Sequence, residues 1–258
     1  MNIKESLYSV LDLVTLKKGI PVTVNGFRLR LPTRYHRYFS KTYEKENFDF
    51  FLKHCKKGMI TLDIGAHFGL FSVFFQKESR GTVYAFEPTQ STRQVLSQTV
   101  AINHCEESVK VLGMAVDETP GTAEFFLSEV VGGRANTLVK GSQLSHATLS
   151  YSVPVTSVDV FVREKNLEIS CIKIDAEGVE LGVLKGARET IEKFRPVILL
   201  SLHPEPIQSR GNSLKEIWDI IKSYRYTVLL SDTGSVIEEN NFCIRAELFD
   251  VHMLPMSL

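Results

Sequence analysis

Hydrophobic positions along the chain change their period several times, and each change predicts an element. In residues 3–16 the apolar residues Ile3, Leu7, Val10, Leu11 and Val14 recur at helical spacing, whereas residues 21–31 alternate apolar and polar positions as a short hairpin does. Residues 35–51 then carry Tyr35, Tyr38, Phe39, Tyr43, Phe48, Phe50 and Phe51 among charges, an aromatic stripe that reads as core rather than as a ligand cage. Together, residues 1–58 are expected to form an N-terminal cap or extension.

From residue 59 the pattern becomes strand, then helix, repeated. Residues 59–64, 82–86, 109–112, 169–174 and 197–202 are near-continuous apolar runs, and helices are expected from Gly69, over about 89–103, near 180–194 and over about 213–224. Strands apolar on both sides belong to a parallel sheet covered by helices on both faces. The last two runs, residues 226–230 and 242–249, are joined through the turn Asp232-Thr233-Gly234-Ser235 and are expected to pair antiparallel. The result is an α/β domain over residues 59–258, an open sheet of about seven strands. Residues 119–157 interrupt it. Rich in Gly, Ser and Thr, with Gly132-Gly133 and Gly141-Ser142, they predict a β-rich insertion with exposed loops, or alternatively a substrate lid.

In an open parallel sheet, ligands sit outside the carboxyl ends of the strands. The predicted ends carry, in order, Asp63, Glu87, Asp117 a few residues past its strand, Asp175 with Glu177, and His203 with Glu205. Singly, such acids often cap the next helix, and Glu87-Pro88-Thr89 has the form of a helix start. Their concentration at one edge is the signal. Thr61-Leu62-Asp63-Ile64-Gly65-Ala66-His67-Phe68-Gly69 is a strand ending in an acidic, glycine-spaced turn that suits a small ligand. A carboxylate about 4 Å from a bound anion costs on the order of 4 kcal/mol at an effective dielectric near 20, so Asp63 argues against a dinucleotide pyrophosphate. The spacing Gly65-x-x-x-Gly69 also lacks G-x-G-x-x-G. A cofactor with a cationic end fits better, and S-adenosylmethionine is the obvious candidate. Glu87, ending the second strand, lies where an acid accepts hydrogen bonds from a ribose.

Net charge is zero, so no basic footprint for nucleic acid is visible, and the short clusters Lys17-Lys18 and Lys56-Lys57 read as solvated. Cys55, Cys105, Cys171 and Cys243 have no paired spacing and are expected to be reduced and metal-free. No run approaches the ~18 apolar residues of a membrane span, and no basic-then-apolar signal opens the chain. A cytoplasmic protein is expected.

The combination of Asp63-Ile64-Gly65-Ala66-His67-Phe68-Gly69, Phe86-Glu87-Pro88, Val155-Thr156-Ser157-Val158-Asp159, Ile172-Lys173-Ile174-Asp175-Ala176-Glu177-Gly178-Val179-Glu180 and Leu184-Lys185-Gly186-Ala187 resembles the FkbM family of S-adenosylmethionine-dependent methyltransferases. The likeness runs over about residues 59–205 and is most specific in 172–187, a block that generic class I methyltransferases do not share. The resemblance implies a seven-stranded Rossmann-like sheet with its last strand antiparallel, and methyl transfer to an oxygen. It implies further that Asp63, Gly65 and Gly69 hold the methionine part of the cofactor, with Ala66 and His67 in the same turn. Glu87 would hold the ribose, with Pro88 beside it, and Met114, Ala115 and Asp117 would surround the adenine. His67 departs from the family, whose members often have Asn there.

Methyl transfer to a hydroxyl needs orientation, exclusion of water and a base. Asp175, Glu177 and His203 are the candidate catalytic residues: His203 or Asp175 as base, Glu177 orienting the substrate. The three could also gather oxygen and nitrogen ligands for a metal. No local spacing demands one, and none is assigned. The expected acceptor is a hydroxyl on a small molecule or glycan. Two rivals remain: an NAD-dependent oxidoreductase, which shares the sheet and the ribose acid, and a cofactor-binding protein without catalysis.

Overall fold

The computed structural model describes residues 18–127 and 149–256. The helix expected over residues 3–16, and the Gly132-Gly133 and Gly141-Ser142 positions of the insertion, lie outside them. Strands β1 (Ile20–Val24) and β2 (Phe27–Leu31) form the expected hairpin. Asn25 and Gly26 at its tip have φ of 52° and 81°, the left-handed pair that a tight two-residue hairpin requires. The aromatic stripe continues through a 3-10 turn, Thr33–Tyr35, into helix α1 (Lys45–His54), where Phe48, Phe50 and Phe51 are buried. Core is thus what those three rings are.

The alternating units follow: β3 (Ile60–Ile64), α2 (Leu70–Ser79), β4 (Thr82–Phe86), α3 (Gln90–Ile102) and β5 (Val109–Leu112). Strands β6 (Ala115–Val116), β7 (Gly121–Leu127) and β8 (Leu149–Thr156) make a separate three-stranded sheet in the order β6-β8-β7, so the interruption is β-structure where it is described. The chain re-enters the main sheet through α4 (Val158–Lys165), β9 (Cys171–Ile174), α5 (Glu180–Lys185), α6 (Arg188–Phe194), β10 (Val197–Leu202), α7 (Pro204–Ser209), α8 (Leu214–Ser223), β11 (Tyr226–Leu230), α9 (Glu239–Cys243) and β12 (Phe249–Pro255).

The main sheet is seven-stranded, ordered β11-β12-β10-β9-β3-β4-β5. Strand β12 runs antiparallel to both neighbours, and the pairs among β10, β9, β3, β4 and β5 are parallel. Both faces are covered. Leu62, Ile172, Ile174 and Leu200 pack under α5 and α8 on one side, while Cys171 and Leu199 face Phe51, Phe74 and Phe75 on the other. Ile64 is in register with Phe86 and with Ile174, so the carboxyl ends of these strands open at one level.

Two elements have other bounds than the sequence reading gives them. The last strand is β12, residues 249–255 rather than 242–249. Phe242, which reads as the start of that strand, is instead a fully buried residue of α9 wedged between Trp218 and Phe249, at ring distances of 5.1 and 5.4 Å. The helix expected over 180–194 is two helices, because Asp159 accepts hydrogen bonds from the Glu189 and Thr190 amides and starts α6 afresh. Ser157 caps α4 in turn, accepting from the Val160 amide. The α1, α4 and α7 helices themselves have no counterpart in the sequence reading. Among the described residues no helix is long and apolar enough to cross a membrane, and all four cysteines are free.

Candidate active site

A cavity of about 450 Å3 opens at the carboxyl edge of β3, β4, β9 and β10. One wall is built from Glu87, Pro88 and Thr89 after β4 and from Met114, Ala115 and Val116 after β5. The turn after β3, Gly65 to Phe68, forms the middle. The opposite wall holds Asp175, Ala176, Glu177 and His203, and the residues before α1, among them Tyr38, Tyr43 and Glu44, close it from above.

Glu87 is 6% exposed and ties the two loops beside it together, accepting from the Thr89 amide at 2.9 Å and from the His67 amide at 3.0 Å. Burial pushes its carboxyl up to about 7, against the pull of those amides and of Arg93. His67 has φ of 49°, the left-handed region that few residues other than Gly, Asn and Asp adopt readily. Its ring stacks on Phe68 at 4.0 Å. Gly65 also has a positive φ, 79°, and a side chain there would put its Cβ 1.9 Å from the Asp175 carbonyl oxygen. The turns after β3 and β9 therefore touch backbone to backbone.

Asp63 lines the cavity floor but is fully buried: Oδ2 accepts from Ser72 Oγ at 2.5 Å, and Oδ1 has no hydrogen-bond partner, with Lys173 Nζ 4.0 Å away. Burial raises its carboxyl, opposed by Lys173 and Ser72. Lys173 is itself buried and donates to Asp175 Oδ2 at 3.2 Å. Burial works against its ammonium, yet Asp175, Asp63 and Glu44 outweigh it and hold the group above its ordinary value. Burial likewise disfavours the Asp175 carboxylate, but Lys173 and His203 bring it below the usual range. His203 Nδ1 meets Glu180 Oε1 at 2.7 Å, and Nε2 lies 3.6 Å from both Asp175 Oδ1 and Glu177 Oε2. Burial lowers the imidazole, but the Glu180 hydrogen bond and the surrounding carboxylates push it up to about 9.

Of the residues expected from the sequence, the structure gathers Asp63, Gly65, Ala66, His67, Glu87, Pro88, Met114, Ala115, Asp175, Glu177 and His203 around this one cavity. Gly69 and Asp117 are not on its wall. Gly69 begins α2 beneath Leu96, where a Cβ would come within 2.4 Å of the Leu96 side chain. Asp117 is carried away because the chain leaves β5 for the small sheet; its carboxylate pairs with Arg210 at 3.1 Å and packs on Gly182. The sequence reading missed Lys173, Glu44, Tyr43 and Asp250, and it took Glu180 only as a helix start. For Lys173 a signal was available: a lysine in the middle of an apolar strand needs a buried partner. The others come from distant segments with no local mark.

An open sheet with this strand order, an antiparallel strand inserted near one edge and a ligand-sized cavity at the carboxyl ends define the Rossmann-like fold of methyltransferases. A solved structure of similar fold is the FkbM methyltransferase of Methylobacillus flagellatus KT, with a TM-score of 0.53 and 16% identity over 85% of this chain and 50% of that one. This chain therefore spans half the length of that relative. The description "Methyltransferase FkbM domain" matches residues 63–228, and the chain belongs to the FkbM methyltransferase family. Among curated proteins it is similar to the methyltransferase sdnD of Sordaria araneosa, 27% identical over 183 residues that cover 60% of this chain and 71% of the relative.

Proposed function

We propose that this chain is an S-adenosylmethionine-dependent O-methyltransferase acting on a hydroxyl of a small molecule or glycan. The observation that carries this reading is that one cavity joins a buried acid suited to a ribose, Glu87, to a group suited to draw a proton from an acceptor, Asp175 with Glu177 and His203. The residues fit the cofactor: the Oδ1 of Asp63, which has no hydrogen-bond partner, and the surplus of carboxylates around the cavity favour a cation. When bound, S-adenosylmethionine supplies an electrophilic methyl on a sulfonium and leaves as a neutral thioether. Glu87 would accept from ribose hydroxyls, and the turn at Gly65 would hold the methionine part. Asp175, Glu177 and His203 would orient the acceptor hydroxyl beside that methyl and draw off its proton. Tyr38, Phe39 and Leu248 around the cavity limit water at the reacting atoms.

Isothermal titration with S-adenosylhomocysteine and NADH, followed by labelled-methyl transfer to a panel of hydroxylated small molecules and glycans, tests this. Micromolar binding of S-adenosylhomocysteine, none of NADH, and label on an acceptor oxygen are expected. Binding of NADH alone would restore the oxidoreductase, and binding without turnover on any acceptor would leave a non-catalytic cofactor-binding protein.

A further inference from the structure

We propose that Asp175, Glu177 and His203 form a site for one divalent cation of the Mg2+/Mn2+ class, with Glu180 orienting the imidazole. The inference rests on reading the cavity as the methyl-transfer site and deepens it. One donor atom from each of the three residues lies within 4.8 Å of the other two. An acidic cluster alone means little; the imidazole is what marks this one. His203 has 8% of its side chain exposed, and its Nδ1 is fixed by Glu180 Oε1 at 2.7 Å. Glu180 is fully buried and its same oxygen accepts from the Gly178 amide at 3.0 Å, so the carboxylate cannot swing away. Glu180 thereby accepts from Nδ1–H and fixes the tautomer, so that a cation displacing the Nε2 proton meets Nε2 as the ligand atom, aimed between two carboxylates. A buried carboxylate behind an imidazole whose far nitrogen faces the ligand is the arrangement that supports metal-binding histidines.

The distances agree. Nε2 stands 3.6 Å from Asp175 Oδ1 and 3.6 Å from Glu177 Oε2, too long for a hydrogen bond to either. Ligands at about 2.1 Å from one cation are about 3.0 Å apart when adjacent and about 4.2 Å apart when opposite, so 3.6 Å needs only a small adjustment. Asp175 uses its other oxygen, Oδ2, for Lys173, which leaves Oδ1 available on the His203 side. Mixed carboxylate and imidazole donors without thiolate suit a hard or borderline ion such as Mn2+. Asp175 and Glu177 keep 27% and 30% of their side chains exposed toward the cavity, so part of the coordination sphere stays open to an acceptor oxygen. With the cation bound, it is the cation rather than the side chains that lowers the hydroxyl pKa, the proton leaves to water, and the three groups named above for drawing it off act instead as ligands.

The test uses the full chain stripped with EDTA and returned to chelator-free buffer, titrated with Mn2+ while free Mn2+ is followed by electron paramagnetic resonance. One equivalent bound with a Kd below about 100 μM is expected for the wild type. His203→Ala and Glu177→Gln should each weaken binding at least tenfold, and Glu180→Gln by about 10–100-fold. Glu177→Gln serves as the variant least disturbing to folding. No saturable Mn2+ binding below 1 mM, or wild-type affinity in both Glu177→Gln and His203→Ala, overturns the site. S-adenosylhomocysteine is titrated into the same samples without metal. If the wild type binds it but not Mn2+, the cation site alone fails; if it binds Mn2+ but not S-adenosylhomocysteine, the methyltransferase reading fails instead.

Discussion

A single buried carboxyl, Glu87, sets a testable pH dependence. Burial holds it at about 7 although two amides donate to it. Ribose hydroxyls donate better to a carboxylate than to a neutral acid, so under the proposed function the ligand selects the ionised form. The sign follows from proton linkage: below pH 7 the free protein carries a proton here that binding must expel, so affinity falls as pH falls, by at most tenfold per unit. Calorimetry with S-adenosylhomocysteine should show affinity rising about tenfold between pH 6 and pH 7.5, and Glu87→Gln should bind more weakly with a flat profile. A flat wild-type profile removes Glu87 from the ribose. This residue was legible in the sequence, as were Asp175, Glu177 and His203, because each stands where an apolar strand run stops, and that stop is also the ligand edge. Asp117 stands at a similar place in sequence but off the cavity wall, because the chain leaves β5 for the small sheet, and its partner there, Arg210, is 93 positions away. Glu180 reads as an ordinary helix start because nothing near it in sequence announces His203.

Among the elements, the contact that matters most is between two turns. The turns after β3 and β9 meet at Gly65 and the Asp175 carbonyl, where even one methyl group overlaps backbone. Gly65→Ala meets both that overlap and a left-handed φ of 79°, so it should cost more than about 1 kcal/mol of stability. It should also displace Asp175 and abolish S-adenosylhomocysteine binding, read by thermal unfolding and calorimetry. An alanine variant with wild-type melting and affinity would show that the two turns are not packed as described. The buried strands of the main sheet were legible because a strand covered on both faces leaves a continuous apolar run. Strand β12 was misplaced because apolar content alone does not separate the buried Phe242 of α9 from a strand residue. The break between α5 and α6 was invisible for a different reason: it is imposed by Asp159, a side chain from another helix.

At the scale of the whole molecule, one polar knot closes the fold across almost its entire length. Asn47 of α1 accepts at Oδ1 from His252 of β12 at 2.8 Å, and its amide donates to Asp250 at 2.9 Å and to Glu44 at 3.0 Å. The first two contacts span more than 200 positions, so no window of sequence could show them. His252 is buried, stacked on Phe50 at 4.0 Å, and burial, helped by His54, lowers its pKa to about 4. An unfolded histidine titrates near 6.5, so the unfolded chain binds the proton first as pH falls. Stability from the neutral imidazole is complete above pH 6.5 and is lost progressively toward pH 4, by about 2 kcal/mol at pH 5. Asp250 and Glu44 oppose this, since burial raises both carboxyls and the folded state takes up protons there on acidification. The comparison must therefore isolate His252. His252→Gln keeps an N–H for Asn47 and removes the titration, so its melting temperature should be lower at pH 7 from lost stacking. Between pH 7 and pH 5 it should then drop less than the wild type, by about 4–8 °C. Equal drops in the two proteins would mean that His252 does not link the folding of β12 and α1 to pH.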